Sequence, residues 1–191
     1  MVSEITSGFI PGQFLLATPS MQDPRFKDAL IYICSHDRSG AMGLIINQSK
    51  SGLHLSDILE QIGIEGDVKV ADTPVLNGGP VDIDRGFVLH SPDYFKKDTS
   101  LKLSETLTLT STKDILEALV RIDAPKKAML AIGYSGWGAG QLEKEIGQNS
   151  WLIVDADEPI IFETDLSGKR DKAYEILGVA PEMLSFNSGT A

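Results

Sequence analysis

The sequence predicts a single mixed α/β (α+β) domain, one central mixed β-sheet with helices packed against it. Three observations point there. The first half carries paired apolar runs separated by turn residues, the pattern of β-hairpins. The second half alternates strand patterns with helix patterns. Across 191 residues there is no internal repeat, low-complexity tract or linker, so the domain spans residues 1–191.

Residues 1–12 are polar and contain glycine, a loose lead-in. Phe14 to Ala17 is a first strand stopped by Pro19, and Met21 to Lys27, with Pro24, is a loop. Ala29 to Cys34 and Ala41 to Ile46 are continuous apolar runs. The segment His36-Asp37-Arg38-Ser39-Gly40 between them has turn composition, so the runs form a hairpin. Neither run alternates with polar residues, so both of its faces should be covered. Ser56, with Asp57 and Glu60 behind it, marks a helix start. Leu55, Ile58, Leu59 and Ile62 supply its apolar stripe and Gly63 its end. Val68-Lys69-Val70 and Val75-Leu76 read as short strands, and Asn77-Gly78-Gly79-Pro80 as a turn. Phe87 to His90 is a strand ended by Ser91-Pro92, and residues 91–104 are a long exposed loop.

Leu107 to Thr110 alternates as a half-buried strand does. Ser111 caps a helix, with Asp114 in the capping-box position and Ile115, Leu116, Leu119, Val120 and Ile122 on its apolar face. Ala128 to Tyr134 is a strand, residues 138–147 a helix, and Trp151 to Val154 a strand. Such a β-α-β-α-β run suits parallel strands joined by right-handed crossovers. Ile160-Ile161-Phe162 reads as another strand. Residues 169–177 make the last helix, with Ala173, Tyr174 and Leu177 on one face and Gly178 as its cap. The tail from Asn187 to Ala191 is small and polar, and loose.

Composition excludes several classes of function. The formal charge is −10, from 27 acids against 17 bases. That balance repels nucleic acid and anionic membrane. The pairs Lys96-Lys97, Lys126-Lys127 and Lys169-Arg170 read as solvated loops or helix ends, not as a phosphate-binding patch. No apolar run approaches the roughly 18 residues that a membrane helix needs. The N-terminus has an acid and no basic cluster, unlike a signal peptide. The single cysteine, Cys34, lies in an apolar run and reads as a small buried hydrophobe. A cytoplasmic protein is expected.

The stretch from Ala131 to Leu142 gathers four glycines and two aromatics, read as a strand-to-helix turn. Gly136-x-Gly138-x-Gly140 lacks the final glycine of a dinucleotide fingerprint, because residue 141 is Gln, and it lacks the lysine of a P-loop. Gly133-Tyr134-Ser135-Gly136-Trp137 fails as a nucleophile elbow, which needs glycine at 137. These glycines are read as permitting unusual backbone angles and close packing. Gln141 and Glu145 lie four apart on one helix face, at the boundary of the Leu142–Ile146 stripe. Glu145 would serve there as an acid or base, or bond the glycine loop; the structural role is favoured. Of the histidines, His90 at a strand end is the one placed for base chemistry, though such a residue more often bonds a carbonyl. No two histidines share metal-ligand spacing, and Asp82/Asp84 and Asp155/Asp157 read as turn formers. No metal or cofactor is expected.

Several stretches together carry a resemblance. They are Phe14 to Pro19, Ile31 to Asp37 leading to Gly40 through Asn47, Asn77 to Val81 with Gly86 to His90, and Gly133 through Glu145 with Trp151-Leu152 downstream. The chain resembles the AlgH/YqgE family of bacterial proteins over about residues 12–155. The resemblance implies a mixed α/β fold whose sheet partly closes into a small barrel surrounded by helices. It also implies the label of transcriptional regulator that family members carry, and it brings no reaction, cofactor or catalytic residue. One departure is Gln48-Ser49, where the family usually has Arg-Pro; Arg38 or Arg85 would then have to supply a site's positive charge.

Two readings of function follow. One is a regulatory or interaction protein acting through a protein partner, without catalysis or direct DNA binding. The other is a small-molecule binder or enzyme whose site gathers Asn47, Gly78, Gly79, Pro80, His90, Tyr134, Trp137, Gln141 and Glu145. It would fail if those residues proved scattered or fully packed.

Overall fold

The computed structural model describes residues 8–69 and 72–185. Within them the chain forms, in order, β1 (Gln13–Ala17), β2 (Leu30–Asp37), β3 (Gly40–Ile45), β4 (Ser49–His54), α1 (Leu55–Gln61), β5 (Pro74–Asn77), β6 (Val81–His90), β7 (Ser100–Lys102), β8 (Thr108–Thr110), α2 (Lys113–Ala118), β9 (Ala128–Gly138), α3 (Gln141–Gly147), β10 (Trp151–Asp155), α4 (Glu158–Phe162), α5 (Leu166–Leu177) and α6 (Pro181–Ser185). The ten strands join in one sheet ordered β10-β1-β2-β3-β9-β6-β8-β7, with β4 pairing β5 and β5 pairing the start of β9. Every pair is antiparallel except β5 with β9. The sheet is curled. Its inner core draws side chains from both ends of the strand order, from Phe14 and Val154 to Leu109, around Ile160, Ile161, Ala173 and Tyr174 of α4 and α5. Outside, α1 and α2 cover one half, and α3 with Met21, Phe26, Trp137 and Trp151 covers the other. The helices of this mixed α/β domain therefore sit both in and around a half-barrel.

Strand β9 is the spine. Before residue 133, Met129 and Ala131 face the inner core while Leu130 and Ile132 face the outer one. Beyond it, Tyr134 faces inward and Trp137 outward. Gly133, at φ 76°, is the extra residue that switches the parity, as a β-bulge does. Here β9 also changes neighbour, from β5 to β3. Gly78 bridges the change, donating its N–H to Ile132 and accepting from Ile45. The stretch read as a strand-to-helix turn is thus strand as far as Gly138.

The hairpin β2–β3 forms as expected and is covered on both faces, but its turn is only Arg38-Ser39, and His36 lies within β2. Other local expectations are corrected. His54, not Ser56, stands at the N-cap of α1, where its N–H donates to Asp57 at 2.8 Å; Ser56 instead donates to Asp72. Ser49–His54 is a strand that its polar, exposed sequence concealed. Val68 and Lys69 form no strand, and Val70 lies outside the described residues, as do residues 1–7 and the 187–191 tail. The segment 91–104 is not all loop: Tyr94 is buried, and Ser100–Lys102 adds an edge strand. Thr108 and Thr110 are fully buried, so β8 is not half-exposed. Thr112, not Ser111, precedes α2, which ends at Ala118 and leaves Ile122 wholly exposed beyond the helical period.

The β8-α2-β9-α3-β10 run gives no parallel neighbours. Strand β10 goes to the sheet edge beside β1, and β6 stands between β8 and β9. Ile160-Ile161-Phe162 belongs to helix α4, because Pro159 in its first turn suits a helix start better than a strand. Helix α5 ends at Gly178 as expected but starts earlier, and α6 follows.

The pair Lys169-Arg170 is not a solvated helix end. Arg170 bonds Asp28 at 3.1 Å and lies over the Tyr174 ring. Lys169 is fully buried without a carboxylate; its Nζ donates to the Ile161 carbonyl at 2.7 Å, at the end of α4. Burial lowers its pKa from 10.5 to about 8. The unfolded chain therefore binds this proton more readily. Stability from this group is complete above pH 10.5 and is lost as pH falls through 8. The stability of wild type relative to Lys169→Met is expected to rise by about 3 kcal/mol between pH 7 and 10.5 in denaturant titrations. A flat difference would show that water reaches the ammonium.

Candidate functional site

The helices leave part of the hollow open. A cleft of about 720 Å³ lies there, and its walls come from six strands. Met42, Phe87, Leu101 and Leu109 supply apolar surface, Tyr134 and Gly136 come from β9, and Ser39 and Ser111 also line the cleft. The size falls in the range of small-molecule sites. Tyr134 meets Phe87 edge to face, with centroids 5.7 Å apart.

Arg85 enters this cleft because β6 bulges. Val81 pairs with Tyr134 and Gly86 with Ile132, so five residue steps on β6 face two on β9. Asp82 takes a left-handed φ of 46° within the excess, and residues 82–85 stand out of the sheet. Such bulges re-aim side chains. Arg85 then lies two residues before Phe87, on the same face of the strand. Its guanidinium sits 5.1 Å from the Phe87 centroid, and Nη2 donates to Ser111 Oγ at 3.1 Å. No ion pair engages it among the described residues, whereas Arg25, Arg121 and Arg170 each pair with an aspartate. The acid on the cleft wall is Asp37. Its Oδ1 accepts from the Ser39 N–H at 2.7 Å and from Ser39 Oγ, and those bonds lower its pKa.

The nine residues expected to gather do not form one site. Tyr134 and Trp137 line the cleft. Asn47 staples a loop, accepting from Leu30 N–H and donating to the Asp28 carbonyl, both at 2.8 Å. Gly78 and Gly79 are packed against the β9 backbone. Pro80 lines a separate shallow depression with Asp82 to Arg85. His90 is fully buried. Its Nδ1 lies 2.9 Å from the Ser91 carbonyl, which only an N–H satisfies, and its Nε2 lies 2.9 Å from Thr110 Oγ1, which itself donates to Ser100 Oγ. Burial lowers its pKa. The expected carbonyl bond is present, and His90 does not line the 720 Å³ cleft. Ser135 is likewise buried, donating to the Gly78 carbonyl at 3.1 Å.

Gln141 and Glu145 build a clasp on the outer face. Glu145 Oε2 accepts from the indole N–H of Trp137 at 2.9 Å and of Trp151 at 2.8 Å. Gln141 Nε2 donates to Glu145 Oε1, and its Oε1 accepts from Gly138 N–H at 3.0 Å. Phe26 lies against both indoles, stacked with Trp137 and edge-on to Trp151. The half-buried carboxylate thus satisfies two buried indole donors, while the bond to the glycine-loop backbone expected of Glu145 is made by Gln141 instead. Cys34 is buried and its thiol pKa is pushed up to about 12, as for an inert core thiol. No cluster of three metal-ligating side chains occurs among the described residues.

Sequence reasoning missed Phe87, Met42, Ser111 and Leu101 as lining residues. It named Arg85 only as a substitute charge. The Arg85-x-Phe87 spacing on a strand was the available signal.

Fold and cleft together define a class: small α/β proteins with a curled half-barrel sheet and a partly open interior. A family model described as AlgH-like matches residues 14–182, and the chain belongs to that family. A UPF0301 protein of Ruegeria pomeroyi is 48% identical over 183 residues, covering 95% of this chain and 99% of that protein. The solution structure of the AlgH protein from Pseudomonas aeruginosa superposes with a TM-score of 0.77 at 37% identity, covering 100% of both chains. Protein DIP2367 from Corynebacterium diphtheriae, 19% identical, shares the fold with a TM-score of 0.67 over 94% of this chain and 92% of that one. No helix among the described residues is long and apolar enough to cross a membrane.

Proposed function

We propose that this protein is a ligand-binding regulatory protein of the bacterial cytoplasm, holding a small molecule in the cleft of its half-barrel and acting through a protein partner. One observation carries the reading: a concave 720 Å³ cleft with aromatic walls and an arginine that forms no ion pair among the described residues. The cleft's titratable side chains are Asp37, Arg85 and Tyr134, which suit holding a ligand better than transforming one. The net charge of −10 favours a protein partner over direct contact with DNA.

The test is an amide NMR screen of a small-molecule panel covering neutral, anionic and cationic compounds. Ligands that bind are expected to shift the amides of Ser39–Met42, Phe87, Leu101 and Tyr134–Trp137 together. If no compound in the panel shifts those amides, or if hits map to other surfaces, the cleft is not the functional site.

A further inference from the structure

We infer that the cleft selects a flat organic anion, an aromatic or heteroaromatic body carrying a carboxylate or phosphate, with Arg85 as the anion-binding residue. The inference rests on the cleft being a ligand site and names the chemical class of that ligand.

The charge argument comes first. In a chain with 27 acids, cations are readily neutralised, and three of the five arginines have an aspartate partner. Arg85 does not, although Asp82 and Asp84 are its near neighbours in sequence. Arg85 borders both the cleft and the depression beyond Pro80 that Asp82 and Asp84 line, but its guanidinium is drawn over Phe87 and tied to Ser111, and it forms no ion pair with either aspartate. With one guanidinium nitrogen on Ser111, the remaining N–H groups are available to donate to a bidentate oxyanion. The Ser111 hydroxyl in the lining accepts from Arg85 and adds its own O–H as a neutral donor. Asp37 on the same wall stays ionised, because the Ser39 bonds lower its pKa, so the anion must be held at the Arg85 end of the cleft.

The shape argument fixes the other end. Phe87, Tyr134, Met42, Leu101 and Leu109 offer apolar and aromatic surface beside the guanidinium. A planar ring fits such walls, by stacking on Tyr134 beside the Arg85-covered Phe87 and by contact with the methionine thioether. The cation also holds its position by lying on the Phe87 face, so it is preorganised before the ligand arrives.

The experiment compares matched probes by amide NMR titration: benzoate against benzamide, phenyl phosphate against phenol, and inorganic phosphate alone. The anionic aromatics are expected to shift the cleft amides and to bind at least about 10-fold more tightly than their neutral counterparts, the worth of one charge-assisted pair. Inorganic phosphate is expected to bind more weakly than phenyl phosphate. In Arg85→Gln, an exposed position that leaves folding intact by circular dichroism, the anion preference should vanish while neutral probes are unaffected. Salt should weaken only the anions. If benzamide and phenol match their anions in the cleft, or Arg85→Gln lowers all probes alike, the anion inference falls and the cleft reading stands. If phosphate binds as tightly as phenyl phosphate, the ring requirement falls. If nothing shifts the cleft amides, both readings fall together.

Discussion

Replacing Gly79 with alanine is expected to cost this protein on the order of 4 kcal/mol of stability or more. The reason is backbone meeting backbone. Gly79 sits at φ 150°, and a Cβ there would stand 2.2 Å from the Tyr134 carbonyl carbon and 2.5 Å from the Ser135 nitrogen. These atoms belong to β9, which is hydrogen-bonded on both edges, so neither can retreat as a flexible side chain would. Gly78 and Gly133 share the contact, since a Cβ on Gly78 would meet the Gly133 carbonyl oxygen at 2.2 Å and one on Gly133 would meet that of Gly79 at 2.4 Å. The three glycines let the link after β5 cross the spine at its kink. Gly140 is the control. Its φ of 72° is left-handed too, but a Cβ there meets nothing within 4 Å. Gly140→Ala should cost only about 1 kcal/mol, the backbone penalty alone. Urea midpoints of the two variants measure the difference. Equal losses would mean that conformation, not contact, sets the role of Gly79.

The second large effect belongs to Glu145. Truncation to alanine removes the acceptor for two indole N–H groups whose tryptophans are 7% and 2% exposed. Each buried donor left unsatisfied costs about 1–3 kcal/mol, so Glu145→Ala is expected to lose about 3 kcal/mol. Glu145→Gln keeps one acceptor oxygen without the charge and should lose about half of that. Tryptophan emission should shift to the red in the alanine variant as water reaches the indoles. A loss under about 0.5 kcal/mol for Glu145→Ala would mean that water already serves those donors.

How much of this was legible in sequence is clearest from particular residues. The hairpin of β2 and β3, the α3 stripe at Leu142 and the Gly178 stop were readable, because each depends on residues near in sequence. The structural role of Glu145 was readable too, from its four-residue spacing to Gln141. Lys169 was not. A lysine reads as solvated, and only its placement between α4 and β9 buries it. His90 read as a strand-end base, but its burial comes from β8, whose Thr110 reaches it across the sheet. The glycine-rich stretch read as a loop because glycine and turns go together. Strand pairing on both sides holds it extended instead.

The sequence by itself determined the composition class, the family resemblance and most of the local elements. Those follow from periodicity, turn chemistry and charge, which are properties of neighbouring residues. Only the tertiary structure decided the strand order, the parity switch at Gly133 and the separation of nine expected site residues into a clasp, a staple, a buried histidine, a packed glycine pair, a shallow depression and a cleft wall. It also decided that Arg85 faces the cleft. A bulge of β6 against β9 aims that side chain, and a bulge is set by the register between strands some 50 residues apart. Register is a long-range property, fixed by which faces are buried together, and no local pattern in either strand contains it.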